Sequence, residues 1–322
     1  MYNSIVDYFR RMSVVSLQLS ILMFFQSIRS NLLNAIFLIF TISTEVPIIV
    51  LFSALMYWCF NKKFGQRLLF SIIGNFIVNT GVKEVVKAPR PIGTPGLESM
   101  RVSTATGYSF PSGHTQTATS FWTSLMILFK NSWVYVIGSI MILAVGISRL
   151  YLAVHWPIDV IFGWIFGIVF SIVFIKIFDY VDENKKYWIL LIILVLLALI
   201  GYFINSESYI EYFGILTGFV FGYIVEDNFI KFSTGQEGNN IIFTRAKQNN
   251  GLGMKVKRFI LGIISLGIVY VVLKSIVSIV PNYFEVGNIE TFNVISNYIR
   301  YTLVVFYAVA GVPALFKALK LD

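Results

Sequence analysis

The chain contains only two histidines, His114 and His155, and each sits among residues suited to phosphate chemistry. His155 follows Ser148 and Arg149 and precedes Asp159 by four residues. That spacing brings imidazole and carboxylate together across one helical turn. A carboxylate on one ring nitrogen fixes the tautomer and leaves the other nitrogen free to attack. Arg149 adds a planar fork that fits phosphate oxygens. Taken alone, the stretch also reads as a surface His–Asp pair beside a boundary arginine.

His114 closes the run Pro111, Ser112, Gly113, His114. Proline suits the first turn of a helix, and a long apolar run begins just after it. The N–H groups of Ser112, Gly113 and His114 are therefore expected free at the positive end of a helix dipole, where an anion binds. Gly113 lets the backbone approach a ligand closely. An ordinary N-cap by Ser109 or Ser112 is the plainer account of the same residues. Lys83 and Arg90 stand at the end of one helix and the start of a Pro-rich loop. By themselves they read as a snorkelling lysine and an interfacial arginine. Together the three stretches supply three cations, a helix N-terminus, two histidines and one aspartate. Such a set stabilises a phosphoryl group in transfer, with one histidine as nucleophile and the other as acid. No cluster of three or four metal ligands accompanies them, so neither a catalytic zinc nor another cofactor is expected.

The elements that hold these residues are membrane helices. Of 322 residues, 57% are apolar or aromatic and only 13% are charged, about half the usual charged share. Mean hydropathy is +0.77. These values exclude a disordered chain, a disulfide scaffold and an ordinary soluble globule. The lone Cys59 permits no intrachain disulfide. The net charge of +9 comes from basic residues scattered at the ends of apolar runs, so no nucleic-acid partner is expected. The N-terminus lacks the basic region and cleavage site of a signal peptide.

A bilayer core needs roughly 20 apolar helical residues. Such runs predict an all-α, polytopic bundle of about nine spans, near 45–60, 67–86, 111–130, 133–152, 157–178, 187–204, 208–225, 259–280 and 293–316. Residues 1–44 mix apolar residues with Arg10, Arg11, Gln18, Gln26 and Arg29. They are expected as interfacial amphipathic helices, with a further span near 17–41 as the rival. Residues 45–182 form the expected catalytic bundle. Residues 183–322 add helices packed beside it, interrupted by a basic loop at 226–258. Lys62, Lys63, Arg67, Lys130, Lys185, Lys186, Lys317 and Lys320 fall on one side if the spans alternate, whereas Glu207, Glu211, Glu285 and Glu290 fall on the other. The basic side is expected inside, which puts the loop 87–110 and the link 153–156 outside.

Lys83, Arg90 and Pro91, then Pro111 to His114, then Ser148 and Arg149 with His155 and Asp159, together resemble the three-part motif of the type 2 phosphatidic acid phosphatase superfamily. The resemblance covers roughly residues 45–180, without departure in spacing. The longer C-terminal half resembles a bacterial branch of that family. The resemblance implies that His155, held by Asp159, attacks phosphorus and becomes phosphohistidine. It implies that His114 protonates the leaving oxygen. It assigns Lys83, Arg90, Ser112, Gly113 and Arg149 to the phosphate, and it implies no metal. The expected function is an integral-membrane phosphatase for a lipid phosphate or diphosphate, acting at the outer face of a bacterial cytoplasmic membrane. Undecaprenyl diphosphate, phosphatidylglycerophosphate and phosphatidic acid are the candidate substrates, with membrane lipids as surroundings. A phosphotransferase with a non-water acceptor, and a lipid-binding or transport protein without catalysis, are the rival readings.

Overall fold

Helices start where an apolar run meets a capping side chain. Asn61 Oδ1 accepts the N–H of Phe64 and opens α4 (Lys62–Val86). Asn131 opens α6 (Ser132–Tyr151) and Ser206 opens α9 (Glu207–Val225) in the same way. α4 stops at Lys87, whose backbone is left-handed, and Pro89 beyond it has no N–H to continue a ladder. The remaining helices are α1 (Ser16–Ser27), α2 (Asn31–Ser43), α3 (Val46–Leu55), α5 (Gly113–Phe129), α7 (Pro157–Asn184), α8 (Trp188–Ile204), α10 (Leu252–Tyr283), α11 (Ile289–Phe306) and α12 (Val312–Ala318). This computed structural model describes residues 16–204, 206–234, 251–283 and 289–321, and among them the fold is all-helical.

The nine expected spans resolve into six helices long and apolar enough to cross a bilayer: Lys62–Val86, Ser132–Tyr151, Pro157–Asn184, Glu207–Ile230, Leu252–Ile279 and Thr291–Ala318. The runs 45–60, 111–130 and 187–204 are helical too, but shorter, as Val46–Phe60, α5 and α8. At about 1.5 Å per residue each is somewhat shorter than a bilayer core of about 30 Å, yet each runs between the end of the bundle that holds Lys83 and the end that holds Lys62. α5 is also polar, and its packing explains this. It lies between α4, α6 and α7, and buries Thr115, Gln116, Thr119, Ser120 and Ser124. These groups bond inside the bundle. Ser71 meets Ser124 at 2.8 Å, Ser171 Oγ meets Ser120 Oγ at 3.1 Å, and Asn79 Nδ2 donates to Gln116 Oε1 at 2.8 Å.

α5 and α7 touch at their backbones. A Cβ on Gly163 would lie 2.9 Å from Thr115 Cβ, and one on Gly167 would lie 2.5 Å from Thr119 Cβ. Small residues one turn apart thus bring the two helices together. The N-terminal end of α7, with Asp159, is held against the start of α5, where Ser112 N–H donates to Asp159 O at 2.9 Å.

No straight span forms over 17–41. α1 and α2 bend by 118° at the break between them. The polar residues near the break bond to the loop 87–112 and to the end of α6 instead of extending a helix. Gln26 donates to Gly96 O and accepts from Glu98 N–H. Arg29 donates to Tyr151 O, and Tyr151 OH donates to Asn34 Oδ1. The first fifteen residues of the expected interfacial segment, and residues 235–250 of the basic loop, lie outside the described residues.

At the far end of α4, four cations meet four carboxylates: Lys62 with Glu226, Lys63 with Asp182, Arg67 with Asp179, and Lys185 with Asp182 and Asp227. These pairs tie α4 and α7 to α9. One apolar cluster crosses the same boundary, with Phe70, Ile73 and Phe178 packed among Tyr209, Phe219 and Tyr223. Gly167→Ala forces a methyl into the α5–α7 contact, an overpacking that costs about 1–3 kcal/mol. A drop of several degrees in the thermal unfolding midpoint in detergent is expected, and an unchanged midpoint would contradict this account of the packing.

Candidate active site

The three motif stretches meet at the other end of α4, where a cavity of about 500 Å³ opens between the loop 87–112, the link 152–156 and the first turns of α3, α5 and α9. Lys83, Arg90, Gly113, His114 and His155 line it. Ser112, Arg149 and Asp159 lie behind its wall, each 1% exposed or less.

His155 and Asp159 adopt the arrangement that their spacing predicts. Asp159 is in the first turn of α7, where its Oδ2 accepts Trp156 N–H at 2.8 Å. The same oxygen lies 3.3 Å from His155 Nδ1. The other ring nitrogen, Nε2, lies 2.9 Å from Arg90 Nη1. A guanidinium only donates, so Nε2 carries the lone pair and the proton sits on Nδ1, facing the carboxylate. Arg90 is itself held by carbonyls: Nε on Gly107 O, Nη2 on Thr106 O and Nη1 on Val154 O. Lys83 Nζ donates to the carbonyls of Tyr108 and Ser109.

Arg149 is the unusual member. It is fully buried. Its Nη1 donates to Thr41 Oγ1 of α2 at 2.8 Å, whereas Nε and Nη2 have no partner. No carboxylate pairs with it among the described residues. Removing one partner of a buried ion pair typically costs 3–5 kcal/mol, because a charge is left uncompensated. The positive fields of Arg149, Arg101, Arg90 and Lys83 all reach His114. A site with this surplus of positive charge is built for an anion.

Two details differ from the expectation. Helix α5 begins at Gly113, with Ser112 as N-cap and Pro111 outside the helix. Ser112 N–H is committed to Asp159 O, so it is not free for a ligand, and Ser112 Oγ accepts from Thr115 Oγ1. Among the described residues no three His, Cys, Asp or Glu side chains gather as a metal site.

Several residues join the site that spacing alone did not reveal. Ser109 Oγ donates to Asp159 Oδ2 and lies 3.4 Å from His155 Nδ1. Asn79, one turn before Lys83, donates to Pro111 O and to Gln116. Its signal was present in the run Arg67, Ser71, Asn75, Asn79, Lys83, polar at every fourth position of α4. Arg101 and Glu45 line the cavity as a salt bridge, and Ser208 and Tyr212 of α9 line its wall.

Burial, followed by the fields of Arg90, Arg149, Lys83 and His114, holds His155 well below the ordinary histidine range. Its folded value thus lies below the unfolded value of about 6.5. The stability it contributes is present above that value and is lost as pH falls below it. In ¹⁵N-histidine spectra, assigned with the variant His114→Gln, His155 is expected to remain neutral and protonated on Nδ1 from about pH 8 to pH 6. A midpoint at the ordinary histidine value would contradict it.

The family model described as "PAP2 superfamily" matches residues 64–183, and the one described as "PAP2 superfamily phosphatase, transmembrane extension" matches residues 210–322. An undecaprenyl-diphosphatase of Sulfolobus acidocaldarius is 32% identical over 104 residues, which are 32% of this chain and 50% of the relative. Sphingosine-1-phosphate phosphatase 1 of Mus musculus is 27% identical over 179 residues, 52% of this chain and 41% of the relative. The chain thus spans about half the length of these curated relatives. The crystal structure of a transmembrane PAP2-type phosphatidylglycerolphosphate phosphatase from Bacillus subtilis is similar with 28% identity and a TM-score of 0.44, covering 52% of this chain and 87% of that one.

Proposed function

We propose, from the premise that this chain belongs to the PAP2 superfamily, that it is an integral-membrane phosphatase hydrolysing a lipid phosphate or diphosphate through a phosphohistidine. The observation that carries this reading is a neutral histidine, oriented by its own aspartate, facing a cavity whose cations exceed its carboxylates. Binding alone needs the cations. A lone pair held on Nε2 by a carboxylate on Nδ1 is what a nucleophile needs in addition.

In this mechanism a phosphoryl group enters beside Arg90, and the Arg90 N–H that now meets Nε2 turns to a phosphoryl oxygen. Nε2 attacks phosphorus as the bond to the leaving oxygen breaks. His114, across the cavity, is protonated once the bound phosphate offsets the burial and the fields of the surrounding cations, and delivers that proton to the leaving oxygen. Asp159 stabilises the imidazolium character that develops on His155, and Ser109 steadies Asp159. Arg149 and Lys83 balance the charge of the equatorial oxygens. Water then takes the phosphoryl group from His155 and releases inorganic phosphate.

A lipid substrate suits the cavity walls. Val46 and Pro47 line the cavity and are also exposed on the flank of the bundle, beside Phe76 and Tyr212. A tail lying along this apolar seam keeps its head group among the cations. We assign the site to the outer face of a bacterial cytoplasmic membrane, from the basic residues clustered at the opposite end of α4. The positive-inside rule counts Lys and Arg rather than net charge, so their pairing with carboxylates leaves that argument unchanged.

Phosphate release by the purified chain from a panel of lipid phosphates tests the chemistry. His155→Ala is expected to lower kcat/KM by at least about a thousandfold, and Asp159→Asn to leave a small residue of activity. Wild-type turnover should persist in chelator. Undiminished release by His155→Ala would sink the mechanism. For orientation, a cysteine replacing Thr94 should react with an impermeant reagent added outside intact cells, and one replacing Lys257 should not. The reverse pattern would put the site in the cytoplasm.

A further inference from the structure

Arg101 is a cavity cation that the phosphoryl chemistry above does not use. Its position is fixed from both sides. Met100 N–H donates to Leu152 O at 2.9 Å and Ser99 Oγ to Ala153 O at 2.7 Å, which pins this part of the loop to the link carrying His155. The Arg101 backbone is left-handed, with φ 57°, a conformation unfavourable for a non-glycine residue. Strain of this kind persists where the surroundings enforce it, commonly at ligand sites. The side chain lines the cavity. Its Nη2 pairs with Glu45 Oε1, and its buried Nη1 has no partner.

Glu45 holds the arginine at the expense of an easier bond. It is the N-cap residue of α3, yet its carboxylate makes no cap hydrogen bond and reaches Arg101 instead. A guanidinium fixed through Nη2, on a residue that lines the cavity and with Nη1 uncommitted, has a donor to spare for a second oxygen anion.

The side of the cavity on which it stands identifies that anion. Arg90 Nη1 meets the nucleophilic Nε2 of His155 at 2.9 Å, whereas Arg101 lines the same cavity anchored on Glu45 at the start of α3, with its hydrogen bond made there and not to His155, and its charge acts on His114. Arg101 therefore belongs to the side of the leaving group, not of the nucleophile. A lipid monoester has an alkoxide oxygen and carbon there, which give a cation nothing to bind once His114 has supplied its proton. A lipid diphosphate has a second phosphate there.

We propose that Arg101 is a specificity-determining residue that holds the leaving phosphate of a lipid diphosphate, so that the site prefers diphosphates to monoesters. This rests on the phosphatase reading above. In the step, His155 Nε2 bonds to the terminal phosphorus as the bridging P–O bond breaks. The electron pair stays on the bridging oxygen, which becomes an oxygen of the lipid monophosphate. That oxygen either takes the proton of His114 or remains anionic against Arg101, and water then releases the terminal phosphate from His155.

The test compares farnesyl diphosphate with farnesyl monophosphate, two probes with the same tail that differ only in the leaving group. Phosphate release by the full-length chain in detergent gives kcat/KM for each. In Arg101→Gln the ratio of diphosphate to monophosphate is expected to fall on the order of ten- to a hundredfold, the usual worth of a hydrogen bond to a charged group. Arg101→Lys keeps the charge but loses the fork. It should lower the ratio by a smaller factor, and it carries the test if the glutamine variant does not fold. A ratio constant within about twofold in the variants, whether both activities fall together or neither does, overturns the proposal. No release from either probe by the wild type, or equal release by His155→Ala, would instead overturn the phosphatase reading itself.

Discussion

Arg149 puts a full positive charge where water does not reach, and among the described residues no carboxylate pairs with it. In a membrane-embedded bundle this is the most expensive single feature of the site, and much of the surrounding structure serves to hold it. Thr41 reaches it from α2, which brings an N-terminal helix over the site. The last turn of α6 carries it inward, and the link that follows presents His155 beside it. The same uncompensated charge that lowers stability raises affinity for a phosphoryl group. The fold concentrates positive charge at one end of the bundle and neutralises it pair by pair at the other.

Helix packing makes that concentration sustainable. Gly163 and Gly167 let α7 approach α5 until Asp159 and Ser112 share a backbone hydrogen bond. Beneath them, Asn75, Asn79 and Gln116 bond with one another, so the polar residues in the interior are satisfied side by side. Each such group would cost more if buried alone. The floor of the site is a connected polar network between three close-packed helices, α4, α5 and α7.

Much of this was legible in the sequence. His155 and Asp159 are four residues apart, and a helix start at Pro157 turns that spacing into a contact. Lys83 and Arg90 flank a helix end that Pro89 enforces. The membership of Ser109, Thr41 and Arg101 was not legible, because each reaches its partner across a distance in sequence that no periodicity records: Thr41 lies 108 positions from Arg149 and Arg101 lies 56 from Glu45. Of the nine expected spans, six helices have the length and hydropathy of a bilayer crossing, for a related reason. Hydropathy reads apolar runs one at a time, whereas α5 is shielded by its neighbours and needs neither the length nor the apolar surface of a lipid-facing helix. The bend between α1 and α2 depends on bonds from Gln26 and Arg29 to a loop and a helix end some seventy to a hundred and twenty residues away.

Ser208 and Tyr212 belong to α9, beyond the stretch that carries the histidines, yet they form part of the cavity wall. None of the groups that meet phosphate in the proposed mechanism comes from that part of the chain. The chemistry and one part of the wall are thus written in separate, consecutive pieces of one gene. Replacement or drift of the second piece would reshape the space beside the head group while the first piece passed unchanged to descendants, so a lineage can vary what it accommodates without having to rediscover how it cuts.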